Sequence, residues 1–472
     1  MLLRTPSLPR PTASSLDQAH LALDRRLGSS KVLSDPDICA PYARDDSDVD
    51  GGVADLVVLA SHRDDVAIAL EIAERFEIPV TPRAAATGRS GGAVPAAGGI
   101  VLVMTALAQI KEIDRRNLVA VVEPGVITGE FQRVVEAEGL FYPPDPNSAD
   151  TCTLGGNIAE NAGGPRAFKY GVTRDYVLGL DVVLMGGQVL HIGRRTSKGV
   201  TGYDVTSLLV GSEGTLAVST EATLRLLPKP EGIATALALF DDVIAASEAV
   251  GSIVAAGLIP RCLELVDDAT LDAVRASGVA VDRRAGAMLL IELDGDSTGS
   301  LERLGSIVHS HDALDVLVAQ DEGQRARLWS ARKSLSIASR KMARHKLSED
   351  VVVPPSRIPA LLAEVRRIGL DTGVRHLAYG HAGDGNLHVN WLWDDASQEA
   401  AVLRAIEALM RATVALGGTL SGEHGIGLSK LAYLPIEQSE ALIALQRDIK
   451  KVFDQKGLLN PGKIFPALHH AC

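Results

Sequence analysis

Residues 82–95 read PRAAATGRSGGAVP, a run of small residues entered from the apolar stretch Ile78-Pro79-Val80. Whether this run holds a nucleotide decides the fold. It lacks the GK[ST] ending of a P-loop, and no lysine stands in it to reach a terminal phosphate. It contains no GxGxxG, so the usual dinucleotide fingerprint is absent as well. What it offers is a predicted strand, IPVTPR (78–83), running into Thr87, Ser90, Gly91 and Gly92. Their hydroxyls and successive backbone N–H groups can form a nest for a pyrophosphate. Taken alone, the run serves equally well as a tight surface turn.

Two further loops favour the nucleotide. TLGGNIAENAGG (153–164) and GSEGTL (211–216) are also small-residue stretches with polar atoms and little charge. Several such loops feeding one pocket suit a large ligand with a long diphosphate. Around them the pattern alternates. A helix is expected from Ser61, with Ser61 and Asp64 placed as a capping box and Val66, Leu70, Ala73 and Phe76 facing inward. GIVLVM (99–104) and LVAVVEPG (118–125) read as buried strands. Thr128 is expected to cap a helix carrying Phe131, Val134 and Val135, ended by Gly139. This is α+β or α/β rather than a sandwich.

Pro228-Lys229-Pro230 is the best boundary. Beyond it the predicted order is strand TALALF, helix 241–256, strands near 262–266 and 287–293, helix 297–311 and strand 314–318. That β-α-β-β-α-β order suggests a ferredoxin-like sheet. Two more helices, 323–345 and 356–369, are expected before RHLAYGHAGDGNLHVNW.

Composition narrows the classes. A chain of 472 residues exceeds one ordinary core, so two or more domains are expected. A net charge of −12 excludes a polyanionic partner such as nucleic acid, which needs basic surface. The four cysteines are far apart and form no CxxC pair, which excludes a thiolate zinc cluster and suits a reducing compartment. The N-terminal MLLRTPSLPRPTASS has no apolar h-region and reads as a loose tail rather than a secretory signal. No apolar run reaches the roughly 18 residues of a membrane span. The expected location is the cytoplasm, with peripheral association at the inner membrane left open.

GHAGDGNLHVN (380–390) places two histidines seven apart around a glycine-aspartate turn. If the flanks pair as strands, His381 and His388 can stand nearly opposite, with Cβ atoms roughly 5 Å apart, and share a divalent metal. A lone histidine would more simply serve a turn hydrogen bond. SGEHGIG (421–427) supplies Glu423 as a third ligand, leaving metal positions open for substrate, as a catalytic site requires. On helix 323–345, Trp329, Arg332, Ser336 and Arg340 share one face. Arg332 can clamp a carboxylate bidentately there, although a solvated basic face fits the same pattern.

These segments together resemble a family. PRAAATGRSGG, VEPGV, PPDPNSADTCTLGGNIAENAGG, GYDVTSLLVGSEGTLAVSTEATLRLLPKP, GHAGDGNLHVN, SGEHGIGLSK and LLNPGKIF are similar to the flavin-dependent D-2-hydroxy acid dehydrogenases, from about residue 40 to 466. That family includes D-lactate dehydrogenases, the flavin subunit of glycolate oxidase and D-2-hydroxyglutarate dehydrogenases. The resemblance implies an α+β fold: a two-subdomain FAD-binding domain of vanillyl-alcohol-oxidase type with a ferredoxin-like substrate cap. The implied layout is a tail (1–40), an FAD domain (41–228), a substrate and metal cap (229–430) and a C-terminal segment (431–472) returning to the FAD domain.

Carried over by position, Arg83, Ala84, Ala85, Ala86, Thr87, Gly88, Ser90, Gly91 and Gly92 would wrap the FAD diphosphate. Pro144, Asp145, Thr153, Gly156, Asn157, Asn161, Glu213, Gly214 and Asn460 would line the flavin and ribityl chain. His381, His388 and Glu423 match the metal ligands, with zinc first and manganese or iron as alternatives. His424 matches the proposed base, while Arg332, Ser336, Lys346 and Asn390 fall at the substrate carboxylates. Relatives read PRGAGT where this chain has Ala84 and Ala86, so both alanines are expected at negative φ, with close approach left to Gly88, Gly91 or Gly92. No histidine stands in the loop for covalent attachment, so the FAD should dissociate.

The activity implied is oxidation of a D-2-hydroxy acid, D-lactate-like first and D-2-hydroxyglutarate second. Electrons would pass to a quinone, a cytochrome or an electron-transfer flavoprotein, and a homodimer is one option. The rivals are a metal-free oxidase of sugars or aromatic alcohols and a non-catalytic FAD electron-transfer subunit.

Overall fold

A computed structural model describes residues 3–278, 281–295 and 298–465. The chain divides into two compact units. One holds the residues up to Gly163, then Val172–Lys229 and the residues from Glu423 onward; the other holds Gly164–Gly171 and Pro230–Gly422.

In the first unit, runs such as Val57-Val58 and Ile100-Val101-Leu102 are fully buried, as β-branched segments covered on both faces must be. They form a four-stranded sheet, β1 (Val32–Leu33), β2 (Leu56–Leu59), β3 (Val80–Arg83) and β4 (Ile100–Val103), in the order β1-β2-β4-β3. Strands β2, β3 and β4 run parallel. The N-terminal segment is not a loose tail. Helix α1 (Ala13–Leu27), capped by Thr12, buries Ala19 and Leu23 in the same core as α2 (Arg63–Phe76). The expected helix from Ser61 is therefore present, but one residue later. Asp65, rather than Asp64, accepts from the Ser61 and His62 amides, because only that carboxylate turns back over the first turn.

A second sheet in this unit is antiparallel. It contains β5 (Ile110–Asp114), β6 (Val119–Val122), β7 (Val177–Val183), β8 (Val189–Gly193) and β9 (Val218–Arg225), ordered β8-β7-β9-β6-β5. Helix α3 (Thr128–Ala137) buries Phe131 and Val135 on it, whereas Val134 is 42% exposed and does not belong to the inward stripe; the short helix α4 (Leu154–Glu160) follows. Ile127 rather than Thr128 is its N-cap. The C-terminal segment lies against β3: Val80 N–H donates to Leu458 O and Asn460 N–H to Val80 O.

The second unit is built on seven antiparallel strands. They are β10 (Ile233–Phe240), β11 (Cys262–Val266), β12 (Ala287–Asp294), β13 (Asp315–Val318), β14 (His345–Val352), β15 (Arg375–His381) and β16 (Asn386–Trp393). The order β13-β10-β12-β11-β15-β16-β14 contains the ferredoxin-like arrangement in its first four strands. Its helices are α5 (Val243–Ala255), α6 (Asp268–Ala276), α7 (Thr298–Ser310), α8 (Glu322–Arg340), α9 (Ile358–Thr372) and α10 (Glu399–Ala415). Helix α6 and strand β14 were not foreseen. Helix α8 stops at Arg340 rather than at 345, because His345 onward pairs with β16. The unit ends at Gly422, not at 430, since the residues from Glu423 onward pack in the first unit.

Candidate active site

The loop after β3 carries the first group. Ala86 has φ +55, so the expectation of negative φ at this alanine is overturned; Ala84 is outside the left-handed region. The loop path fixes this turn, and the Ala86 carbonyl accepts from Asp46 N–H at 3.2 Å. Such a conformation costs a non-glycine residue about 1–2 kcal/mol. Among the loop glycines only Gly91 lies at positive φ (+83), and a Cβ there would press on Val49 and Leu428. Its close approach is to protein. Gly88 faces open space, its nearest neighbour being Glu160 Oε1 at 4.0 Å from a Cβ position.

Arg83 does not reach along the loop. Its Nη1 is held by the carbonyls of Tyr42 and Arg44. Ser90 Oγ is buried with no hydrogen-bond partner among the described residues. An orphaned hydroxyl beside small, half-buried residues from Ala84 to Gly88 fits a diphosphate held by backbone amides.

The other cofactor candidates divide into lining and frame. Thr153 Oγ1 accepts from Gly156 N–H at 3.3 Å, and Asn157 Nδ2 donates to Thr128 Oγ1 at 2.8 Å. Asn161 is left-handed (φ +56) and its Oδ1 takes Arg174 N–H. Pro144 O accepts from Gln132 Nε2, and Asp145 follows on the same loop. Gly214 (φ +64) borders Pro82. Asn460 Nδ2 donates to Gly92 O at 3.0 Å and to Glu213 O at 2.8 Å. The Glu213 carboxylate accepts from Ile426 and Gly427 N–H, both at 2.7 Å. These contacts knit the residue 92, 213, 426 and 460 segments into one frame.

Lys463, not among the residues expected here, donates to Val94 O and Asn460 Oδ1. Burial pushes its pKa down to about 8 against the pull of Asp45, Glu213 and Glu160. Its place in LLNPGKIF was the available signal.

The second group lies on β15 and β16. The register pairs Tyr379 with His388 and His381 with Asn386. The two histidines are therefore diagonal neighbours on one sheet face, not directly opposite, because the turn sets the pairing. Their rings still meet edge to face, with centroids 5.5 Å apart. Ser421 Oγ and Gly422 N–H both bind the Asp350 carboxylate, at 3.0 and 2.9 Å, which fixes the peptide that leads into Glu423. One ligand atom from each of His381, His388 and Glu423 then falls within 4.8 Å of the others. Two buried imidazoles and a carboxylate form a donor set that fits a divalent cation with positions left open. His424 Nε2 lies 4.0 Å from Glu423 Oε1.

Arg332 is buried on α8 and its Nε donates to Glu264 Oε2 at 2.6 Å, with the guanidinium over the Tyr379 ring. Its Nη2 has no hydrogen-bond partner among the described residues. Trp329 turns inward to Glu292, while Arg340 is exposed, so the expected single face holds only in part. The Ser336 side chain lies outside the described residues. Asn390 is fully buried, its Nδ2 donating to His388 O and its Oδ1 unpaired among the described residues. Lys346 shares the His388 sheet face and donates to Ser339 Oγ at 2.9 Å.

Glu264 was missed. Burial raises its pKa, but His381 and Arg332 outweigh this and hold it at about 2. An acid inside the apolar CLELV was the signal, since buried carboxylates are paired.

Two family models match the chain. The family described as "FAD binding domain" matches residues 54–193, and "FAD linked oxidases, C-terminal domain" matches residues 229–464. The chain is 40% identical over 417 residues to the glycolate oxidase subunit GlcD of Bacillus subtilis, covering 87% of this chain and 89% of that one. It is 37% identical to the GlcD subunit of Escherichia coli K12, covering 95% and 91%. It is 38% identical to a D-lactate dehydrogenase of Archaeoglobus fulgidus, covering 87% and 91%. A substrate-bound p-cresol methylhydroxylase shares the fold, with a TM-score of 0.79 over 97% of this chain and 98% of that one at 16% identity. With one family covering two of its three nucleotide-type loops and the other its histidine pair and the LNPGK segment, the chain belongs to the FAD-linked oxidases of the vanillyl-alcohol-oxidase fold and is an FAD-linked oxidoreductase.

Proposed function

We propose that the chain oxidises a D-2-hydroxy acid of the D-lactate type to the 2-oxo acid. The observation that carries this reading is the His381, His388 and Glu423 group, whose ligand atoms lie within 4.8 Å of one another. The names of its relatives, glycolate oxidase subunits and D-lactate dehydrogenases, point to the same substrate class. Bound FAD supplies a two-electron acceptor. A divalent ion held by His381, His388 and Glu423 would act as a Lewis acid that lowers the pKa of a substrate hydroxyl.

The chain's own residues divide the remaining work. Arg332 presents Nη2 to the substrate carboxylate while Glu264 holds its Nε. His424, beside Glu423, takes the hydroxyl proton. Loop 83–92, the 153–161 segment, Glu213-Gly214 and Asn460 hold the cofactor. Ser336 belongs with the substrate contacts by position. Lys346, on the His388 sheet face, favours a second reading, D-2-hydroxyglutarate, whose extra carboxylate would need a donor beyond Arg332.

Anaerobic mixing of the FAD-loaded protein with D-lactate or D-2-hydroxyglutarate tests this. D-lactate should bleach the visible flavin absorbance, L-lactate should not, and His388→Ala should bind FAD normally yet stay oxidised. A fully reducible His388→Ala removes the metal role. A wild-type flavin that no hydroxy acid bleaches removes the substrate class.

A further inference from the structure

Glu264 is a fully buried carboxylate that touches two proposed site residues, His381 and Arg332. It stands in β11 between Leu263 and Leu265, both buried. The β11–β15 register sets it directly opposite His381. One oxygen, Oε1, lies 2.6 Å from His381 Nδ1; the other, Oε2, accepts from Arg332 Nε at 2.6 Å.

Donor and acceptor chemistry fixes the rest. A guanidinium only donates, and an ionised carboxylate only accepts. With Glu264 ionised between them, the imidazole proton must sit on Nδ1, and the lone pair of the neutral ring is then on Nε2. We infer that Glu264 is a positioning residue: through one oxygen it fixes His381 as the Nδ1–H tautomer, so that Nε2 is the metal-ligating nitrogen. Through the other it holds the Arg332 guanidinium so that Nη2 is turned to the substrate carboxylate. One side chain thereby ties the metal ligand to the carboxylate clamp. The inference rests on the metal reading above.

Glu264→Gln is the informative change. Glutamine offers one acceptor and one donor at the same two places. Arg332 can only donate, so the amide oxygen must face Arg332 and the amide N–H must face His381. The imidazole proton is then driven to Nε2, where it blocks the ligand position. Zn2+ affinity of the FAD-loaded protein, read by competition with a chromophoric chelator, should fall about 10- to 100-fold. FAD content should stay at the wild-type level.

Nitrogen-15 histidine NMR of the wild type should show His381 protonated at Nδ1, and in Glu264→Gln the proton should appear at Nε2. Glu264→Asp keeps the charge for Arg332 but is too short to span both partners. It should also weaken Zn2+ binding, and it covers the case in which the glutamine variant does not fold.

His388→Ala separates the two readings. If it binds Zn2+ as tightly as the wild type, the metal reading itself fails. If it loses Zn2+ while the Glu264 variants bind as the wild type does, the positioning role fails. An Nε2–H tautomer of His381 in the wild type overturns it as well.

Discussion

The Asn460 side-chain amide donates to the carbonyl of Glu213 at 2.8 Å, and so joins a residue near the end of the chain to a left-handed turn almost 250 positions earlier. The same amide holds Gly92 O, so one side chain fixes two of the loops assigned to the cofactor. Asn460→Ala breaks both bonds. At about 0.5–1.5 kcal/mol each, the loss predicts roughly 10- to 100-fold weaker FAD binding. Equilibrium dialysis or flavin fluorescence titration measures it, and an unchanged dissociation constant would count against the frame.

Ala86 carries a strain that glycine would remove. Its left-handed backbone costs about 1–2 kcal/mol, offset by the roughly 0.4–1 kcal/mol of chain entropy that alanine saves in the unfolded state. Ala86→Gly should therefore stabilise the protein by about 0.5–1 kcal/mol, seen as a higher Tm of the FAD-loaded form. A lower Tm would mean that the methyl group makes contacts that outweigh the strain.

Gly385 closes the turn that aligns the two histidine strands, at φ +84. A Cβ there would overlap the Val353 carbonyl oxygen. Gly385→Ala should cost more than about 3 kcal/mol, through both backbone strain and the clash, and should scatter the His381–His388 pairing. Gly373→Ala, also at positive φ (+70) but with open space around it, should be clearly milder. Urea unfolding of the two variants compares them directly, and equal losses would refute the steric account.

Asp267 gives the cap unit a pH dependence. Burial raises its pKa to about 7, against the hydrogen bonds donated by Thr270 and by Ala378 N–H. Between its ordinary 3.8 and about 7, the native state keeps a proton that the unfolded chain has released. The native state then binds more protons, so stability falls as pH rises through that window. Asp267→Asn cannot ionise and lacks this slope. Its Tm relative to the wild type should rise between about pH 5 and about pH 7.5, even if it starts lower. A constant difference across that range would show that Asp267 titrates normally.

Much of the fold was readable because its signals are local. The runs 99–104 and 118–125, the break at Pro228–Pro230 and the β-α-β-β-α-β order all follow from short-range pattern. Strand β14 was not readable, because HKLSEDVV mixes charge with apolar residues. Lys346 and Asp350 lie on its polar face, and that face is occupied only once β16 is beside it. The N-terminal helix was not readable because ASSLDQAHLALDRRL is mostly polar; its two buried residues find their partners only in a core shared with α2 and the first sheet.

The sequence by itself determined the small-residue loops, the histidine pair, the acid in SGEHGIG and the returning LNPGK, since each is a residue type at a fixed short spacing. Tertiary structure alone decided how these residues are used. Strand register made His381 and His388 diagonal and set Glu264 against His381, and no spacing within one segment encodes pairing between strands more than a hundred residues apart. Loop closure against distant backbone put Ala86 in the left-handed region, where alanine's own preference would not have taken it. Local preferences of a few kcal/mol or less yield to long-range packing wherever the two conflict.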